Sequence, residues 1–328
     1  MQSHPVQTQV ISMDGAWRDA ALAQLRQGAV VAVPTETVYG LAGDATSADA
    51  VAKIFAAKGR PSHNPLIAHV ADSEMARDLA LVSPVAQALI AAVWPGPLTL
   101  VLPLKAEASA TRAVTAGGDS IALRCPKGAI RELSAALGKP IAAPSANRSG
   151  HVSPTRAEHV LADLDGRIPL IVDGGATAMG LESTILDARG DKPMILRPGA
   201  LTQDAIAKIL SVSVSDVTVA DSAVDAPAAP GLLASHYAPA VPVRLDVLPS
   251  DLREGEAYLG FGDHTLPEAM TLSLSGDLTE AAAKLYEALR TLDAQNPASI
   301  AVAPIPNEGL GHAINNRLKR AAAPRRVP

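Results

Sequence analysis

The sequence predicts an α/β fold, an open sheet covered by helices. Short apolar runs of strand length, such as Ala29-Val30-Val31-Ala32-Val33, recur between longer segments with helical spacing. Several of these runs lead straight into clusters of hydroxyl, amide and charged residues. Ligands of open α/β sheets gather at the carboxyl ends of strands, so these clusters are the expected site.

In chain order, the pattern predicts a helix over 17–27 and a strand over 29–33. Pro34, which lacks the amide donor that a continuing strand needs, ends that strand. A helix over 47–57, a strand over 66–70 and helices over 73–81 and 84–93 follow, then a strand over 98–103. A strand over 120–124 ends at Arg124, and a helix over 128–137 leads to a strand over 140–143. A helix over 155–162 and strands over 169–172, 183–187 and 193–197 complete a first unit, residues 1–210. Residues 211–240 contain Asp225-Ala226-Pro227-Ala228-Ala229-Pro230-Gly231, which cannot continue a helix and reads as a linker. Beyond it, an apolar run over 257–262, a helix over 279–293, a strand over 299–303 and a helix over 311–322 predict a small α/β unit, residues 241–328. Gly260-Phe261-Gly262 lacks a full dinucleotide fingerprint, so no nucleotide is assigned there.

At 328 residues, 48% hydrophobic and 19% charged, the chain has the makings of a large core and of two domains. Aromatics are only 2%, so that core is built from Ala, Val, Leu and Ile. The single cysteine, Cys125, has no partner for an internal disulfide and no adjacent base to make it a nucleophile; it reads as packing. The eight histidines lack zinc-ligand spacing. No apolar run is long enough to span a membrane, and the N-terminus lacks a basic lead with an apolar signal core, so a cytoplasmic location is expected. Through residue 210 there are 19 Lys+Arg and 19 Asp+Glu; beyond it, 9 and 14. Neither part has the basic excess that supports non-specific nucleic-acid binding.

Five clusters carry chemistry. Pro34-Thr35-Glu36-Thr37-Val38-Tyr39-Gly40-Leu41 sets two hydroxyls and a carboxylate after a buried strand. Lys58-Gly59-Arg60-Pro61, with Asn64 and His69 beyond, suits an anion: lysine brings a compact charge, arginine a planar fork, and glycine close backbone approach. Ala143-Pro144-Ser145-Ala146-Asn147 adds small polar contacts, and Leu181-Glu182-Ser183-Thr184 and Leu196-Arg197-Pro198-Gly199 adjoin short strands. Each alone would equally serve as a turn or a helix end; their recurrence at strand ends points to a ligand.

In this order, together with Trp94-Pro95-Gly96-Pro97-Leu98-Thr99 and Arg124-Cys125-Pro126, the motifs resemble the Sua5/YrdC/YwlC family of threonylcarbamoyl-AMP synthases over about residues 15–210. Pro230-Gly231 and His236-Tyr237-Ala238-Pro239 are similar to the linker of the two-domain Sua5 form. The resemblance implies a YrdC-like open twisted sheet with a large concave cleft, plus a small C-terminal Rossmann-like domain. It implies that L-threonine, bicarbonate or CO2, and ATP give threonylcarbamoyl-AMP and pyrophosphate, for transfer to tRNA by separate downstream machinery, with no need for this chain to bind tRNA. Mg2+ would ride on the ATP phosphates.

Carried over by motif, Thr37, His69, Arg124, Ser145 and Ser183 would bind threonine. Arg60, Asn64, Ser120, Asn147, Ser153 and Arg197 would contact ATP, with His236 and Tyr237 closing over it as a lid. Lys58 and Arg60 would balance bicarbonate or phosphate charge, and Glu36 would orient or act as a base. Two other classes compete. An RNA-binding module is disfavoured by the charge balance. A carbamoyl-transfer enzyme, of the type that carries paired Cys-x-x-Cys motifs, is disfavoured by the single cysteine.

Overall fold

The computed structural model describes residues 6–220 and 236–324. The Ala/Pro-rich stretch and Pro230-Gly231 lie outside the described residues. The first part of the chain runs β1 (Gln9–Ser12), α1 (Trp17–Arg26), β2 (Val31–Val33), β3 (Gly40–Asp44), α2 (Ala48–Lys58), β4 (Ile67–His69), α3 (Ser73–Leu79) and α4 (Pro84–Val93). It continues with β5 (Leu98–Pro103), β6 (Ser120–Arg124), α5 (Ala129–Leu137), β7 (Ile141–Ala142), α6 (Ala157–Leu164), β8 (Leu170–Asp173), β9 (Thr184–Asp187), β10 (Met194–Arg197), α7 (Gln203–Leu210) and β11 (Thr218–Val219). The remainder holds β12 (Val243–Arg244), β13 (Glu256–Gly260), β14 (Met270–Thr271), α8 (Leu278–Ala294), β15 (Ser299–Val302) and α9 (Gly311–Ala322).

Two sheets result. The first has 11 strands in the order β1-β8-β2-β3-β7-β4-β6-β5-β9-β10-β11. It is mixed: β2 pairs antiparallel with β3, β4 parallel with β6, and β5 antiparallel with β6. The second, in the order β12-β15-β13-β14, is parallel throughout and carries α8 and α9, as a small Rossmann-like unit would.

Strand alternation decides where the cleft lies. On β4, β5, β6 and β9 the residues Ala68, Leu98, Leu100, Leu102, Ile121, Leu123 and Leu186 join the main core with α2, α3 and α4. Their neighbours Ile67, Val101, Ala122 and Ile185 form a separate small cluster on the opposite face. On the other half of that opposite face, α1 and α5 cover β2, β3, β7 and β8 through Trp17, Leu22, Ile130 and Leu133. The part around β4, β6, β5 and β9 is left as a concavity. His69, Arg124 and Arg197 end β4, β6 and β10, and Thr37 and Ala143 to Ser145 follow β2 and β7, so most of the site stands at carboxyl ends of strands, while Ile67 and the Glu182-Ser183 pair before β9 bring in the sheet face and one amino end.

Several elements exceed the sequence expectation, among them β1, β3, α7, β12 and β14. Glycine-rich β3 lacks strand-forming residues, and packing explains why. A Cβ at Gly40 would lie 2.9 Å from Ile130 Cδ1, and one at Gly43 3.0 Å from Ile54 Cδ1. The helices press on this strand so closely that a larger residue would have to push the ends of Ile130 and Ile54 aside.

Candidate functional site

Arg60 owes its place to a helix end. Ser47 caps α2 by accepting from the Ala50 amide, and Gly59 ends it with a left-handed φ of 60°. The sharp turn at Gly59 separates the fates of its two cationic neighbours. The Arg60 guanidinium, 8% exposed, donates to Asn64 Oδ1 at 2.6 Å, to the Pro65 carbonyl at 2.8 Å and from Nε to the Asn64 carbonyl at 3.2 Å, and it lines a cavity. Lys58 does not line it. Its ammonium donates to the Ser145 and Asn147 carbonyls, each at 2.6 Å, and so holds the turn after β7 from beneath. Burial, reinforced by Arg60, pushes the Lys58 pKa well down, and burial draws that of Arg60 to about 10.

Arg124 and His69 stand side by side, paired across the parallel strands β4 and β6. Arg124 Nη1 donates to Thr37 Oγ1 at 3.0 Å and Nε to the Gly96 carbonyl at 3.3 Å. Its Nη2 lies 2.9 Å from Glu36 Oε2, a charge contact without hydrogen-bond alignment, since both atoms lack a hydrogen-bond partner. Thr37 is fixed by its own turn. The Thr35 hydroxyl accepts from the Thr37 and Val38 amides at 3.1 and 3.2 Å and donates to the Val38 carbonyl at 2.7 Å. Burial, then Arg124, lowers the His69 pKa to about 3, so the ring is neutral at physiological pH.

The third arginine arrives on β10. Arg197 donates through Nη2 to the Ser183 carbonyl at 2.9 Å and to Ser183 Oγ at 3.3 Å, and that hydroxyl also bonds Thr99 Oγ1 at 2.8 Å. Beside it, Glu182 accepts from Ser153 Oγ at 2.6 Å, Tyr286 Oη at 2.9 Å and Arg317 Nε at 2.9 Å. Burial opposes its charge, but Arg317 and Arg197 outweigh burial and hold the carboxyl at about 2.

Thr37, Arg60, His69, Arg124, Ser145, Ser183, Arg197, His236 and Tyr237 thus meet around one cavity of about 50 Å³, which Glu182 also lines. His236 and Tyr237 complete the lining. The His236 amide donates to the Arg320 carbonyl at 3.3 Å and the Ala238 amide to the Gly150 carbonyl at 2.9 Å, so the segment is anchored on both units.

The other expected residues stand behind this lining. Asn64 serves as an acceptor for Arg60, and Ser153 as a donor to Glu182. Asn147 donates to the Arg148 and His151 carbonyls at 2.9 and 2.8 Å, leaving its buried Oδ1 without a partner. Ser120 sits at the start of β6, opposite Pro103, at the far end of the strand from Arg124. Sequence reasoning assigned no role to Glu182 and missed Tyr286 and Arg317. The available signal was Arg317 itself, a charge on the apolar stripe of Ile314, Leu318 and Ala321.

Three buried guanidiniums, two neutral imidazoles, three aliphatic hydroxyls and the Tyr237 ring suit a polyanion held beside a small polar molecule. Among the described residues, no group of three or more His, Cys, Asp or Glu is placed to hold a metal, and no helix is long and apolar enough to cross a membrane.

Comparison with known proteins agrees with this fold. Residues 23–199 match the Sua5_yciO_yrdC family model, described as "Telomere recombination", and residues 201–323 match the model "Threonylcarbamoyl-AMP synthase, C-terminal domain". A threonylcarbamoyl-AMP synthase of Bacillus subtilis is 43% identical, over 93% of this chain and 92% of its own length. The crystal structure of Pyrococcus abyssi Sua5 complexed with L-threonine superposes with a TM-score of 0.86 at 36% identity, covering 96% of this chain and 97% of that one. A variant of the Pyrococcus protein, with an adjacent histidine and tyrosine both replaced by alanine, superposes with a TM-score of 0.85 at 35% identity, covering 96% of each chain. The two family models matched along the chain, the identity with the Bacillus relative and the shared fold place this chain in the Sua5/YciO/YrdC family, in its two-domain threonylcarbamoyl-AMP synthase form.

Proposed function

We propose that the chain joins L-threonine, bicarbonate or CO2, and ATP into threonylcarbamoyl-AMP and pyrophosphate, a nucleotidyl transfer that feeds the t6A modification of tRNA. The observation that carries this reading is the convergence of Arg60, Arg124 and Arg197 with His69, Thr37, Ser145 and Ser183 on one buried cavity. The named relatives support it.

In this reading Arg124 receives the threonine carboxylate, with Thr37, His69, Ser145 and Ser183 around the amine and side chain. Neutral His69 adds no competing charge. The threonine nitrogen attacks CO2 and loses a proton, giving a carbamate. A carbamate oxygen then attacks the α-phosphorus of ATP, and the bond to the β-phosphate oxygen breaks as pyrophosphate leaves. Arg60 and Arg197 bind the phosphates, while Asn64 aims Arg60 and Lys58 holds the Ser145–Asn147 turn. Asn147 and Ser153, expected as ATP contacts, act from behind the lining, through the turn over 147–151 and through Glu182, and Ser120 lies away from the cavity at the far end of β6. Catalysis then rests on positioning and on charge stabilisation in a dry site.

The nearby carboxylates Glu36 and Glu182 are each committed to an arginine, so Mg2+ would enter on the ATP phosphates. When bound, it would neutralise phosphate charge. Nucleotide sites usually need at least about 300 Å³, so His236 and Tyr237 would swing out for ATP to enter and return to exclude water from the mixed anhydride. The receiving transfer machinery would be a separate protein in the cytoplasm, and direct tRNA binding is not required.

The test is pyrophosphate release from ATP and Mg2+, with and without L-threonine and bicarbonate, with the adenylate identified by mass. Release that needs both co-substrates and is lost in a folded Arg60→Ala variant is expected. No release by the folded wild-type chain under any combination would refute the reading.

A further inference from the structure

The cavity contains an anomaly for a site that is to receive a triphosphate: one of its walls is a carboxylate. Glu182 is 7% exposed and lines the same space as Arg60 and Arg197. A buried anion there would compete with phosphate for those arginines and repel the nucleotide, with little water to screen it.

The structure resolves the conflict from outside the catalytic sheet. Both carboxylate oxygens are committed to Ser153, Tyr286 and Arg317, none of which lines the cavity. Arg317, on α9, is fully buried, and its Nη1 donates to the Pro198 carbonyl at 2.8 Å, directly after Arg197. The same two residues seat the closing segment. Tyr286 stacks on the Tyr237 ring with centroids 5.7 Å apart, and the Arg317 guanidinium lies 5.2 Å from that ring's centroid. Tyr237 is held there with a left-handed φ of 61°.

We propose that Arg317, with Tyr286, is a positioning residue contributed by the C-terminal unit: it occupies Glu182 and seats Tyr237, so that the nucleotide phosphates meet Arg60 and Arg197 without a rival anion. The proposal rests on the ATP-using reading above. It gives the C-terminal unit a role in the reaction, although none of its residues beyond the closing segment lines the cavity.

The experiment measures pyrophosphate release against ATP concentration, and ATP binding by calorimetry, for wild type, R317M, R317K and the double variant R317M/E182Q. In R317M, verified as folded by its unfolding transition, KM for ATP is expected to rise about tenfold or more with a smaller fall in kcat, the scale of effect when a buried charge loses its partner. R317K, which keeps the charge, falls between. Removing the stranded anion in R317M/E182Q recovers most of the loss, which a merely structural role for Arg317 would not produce. An unchanged KM in R317M, or a double variant no better than R317M, overturns the proposal. Wild-type protein that neither binds ATP nor releases pyrophosphate would overturn the synthase reading itself, a separate result. Should R317M fail to fold, Tyr286→Phe removes one donor from Glu182; KM for ATP is then expected to rise about threefold, and an unchanged value counts against the proposal.

Discussion

Lys58 and Arg60 flank one glycine, and the structure gives them opposite tasks. Sequence chemistry made both candidates for an anionic ligand, but the Lys58 ammonium is spent on two backbone carbonyls at 2.6 Å. Lys58→Met leaves those carbonyls buried without a donor. It should cost about 2–4 kcal/mol in urea unfolding, at roughly 1–3 per orphaned group less the relief of burying an ammonium. A loss below the error of that measurement would show that the turn is held by other means. His69 and His236 yield a pH prediction. Burial, the largest cause in each, lowers both from 6.5 to about 3. Between those values the unfolded chain binds the proton and the folded one does not, so stability falls as pH drops below about 6.5. Each group contributes up to about 1.4 kcal/mol per pH unit. The fall in urea midpoint from pH 7 to pH 5 should shrink in His236→Gln; an equal fall would assign the acid sensitivity elsewhere.

At the level of elements, those with a strong local signal were legible. The strands over 98–103 and 120–124 and the helix over 84–93 match their expected bounds, because an apolar run or stripe bounded by Pro or polar residues identifies them without help from the rest of the chain. β3, β12 and β14 were not, because short or glycine-bearing strands take their conformation from the ladders they join. Gly180 marks where the two units are pressed together. It has φ of 66°, and a Cβ there would lie 2.5 and 2.6 Å from the carbonyls of Ala283 and Ala282 on α8. Gly180→Ala is therefore expected to lift α8 from the catalytic unit at a cost of about 2 kcal/mol or more. Scanning calorimetry should show the single transition broadening or dividing in two; an unshifted single transition would mean that the contact yields without strain.

Across the whole molecule, the two sheets share apolar packing. The C-terminal core cluster takes in Val38, Val152 and Leu181 from the first unit, and Arg290–Asp163 and Arg156–Glu287 pairs bridge the same boundary. Deleting residues 225–328 should leave the large sheet folded while uncovering those three side chains and freeing Glu182 from Arg317. The fragment is expected to keep its far-ultraviolet dichroism, to bind a hydrophobic dye and to lose ATP use. Unchanged turnover in the fragment would refute any part for the second unit. The sequence by itself determined the α/β class and the motifs that supply Arg60, Arg124, Arg197 and their hydroxyl neighbours, since strand length, helical spacing and turn chemistry are local properties. Only the tertiary structure decided that Arg60 reaches the cavity while Lys58 supports it, that Ser120 stands at the far end of the strand from Arg124, and that Glu182 is held by Tyr286 and Arg317 from more than 100 residues away. The reason is physical: a buried charge is stable only with a partner, and which partner meets it is settled by packing across the whole chain.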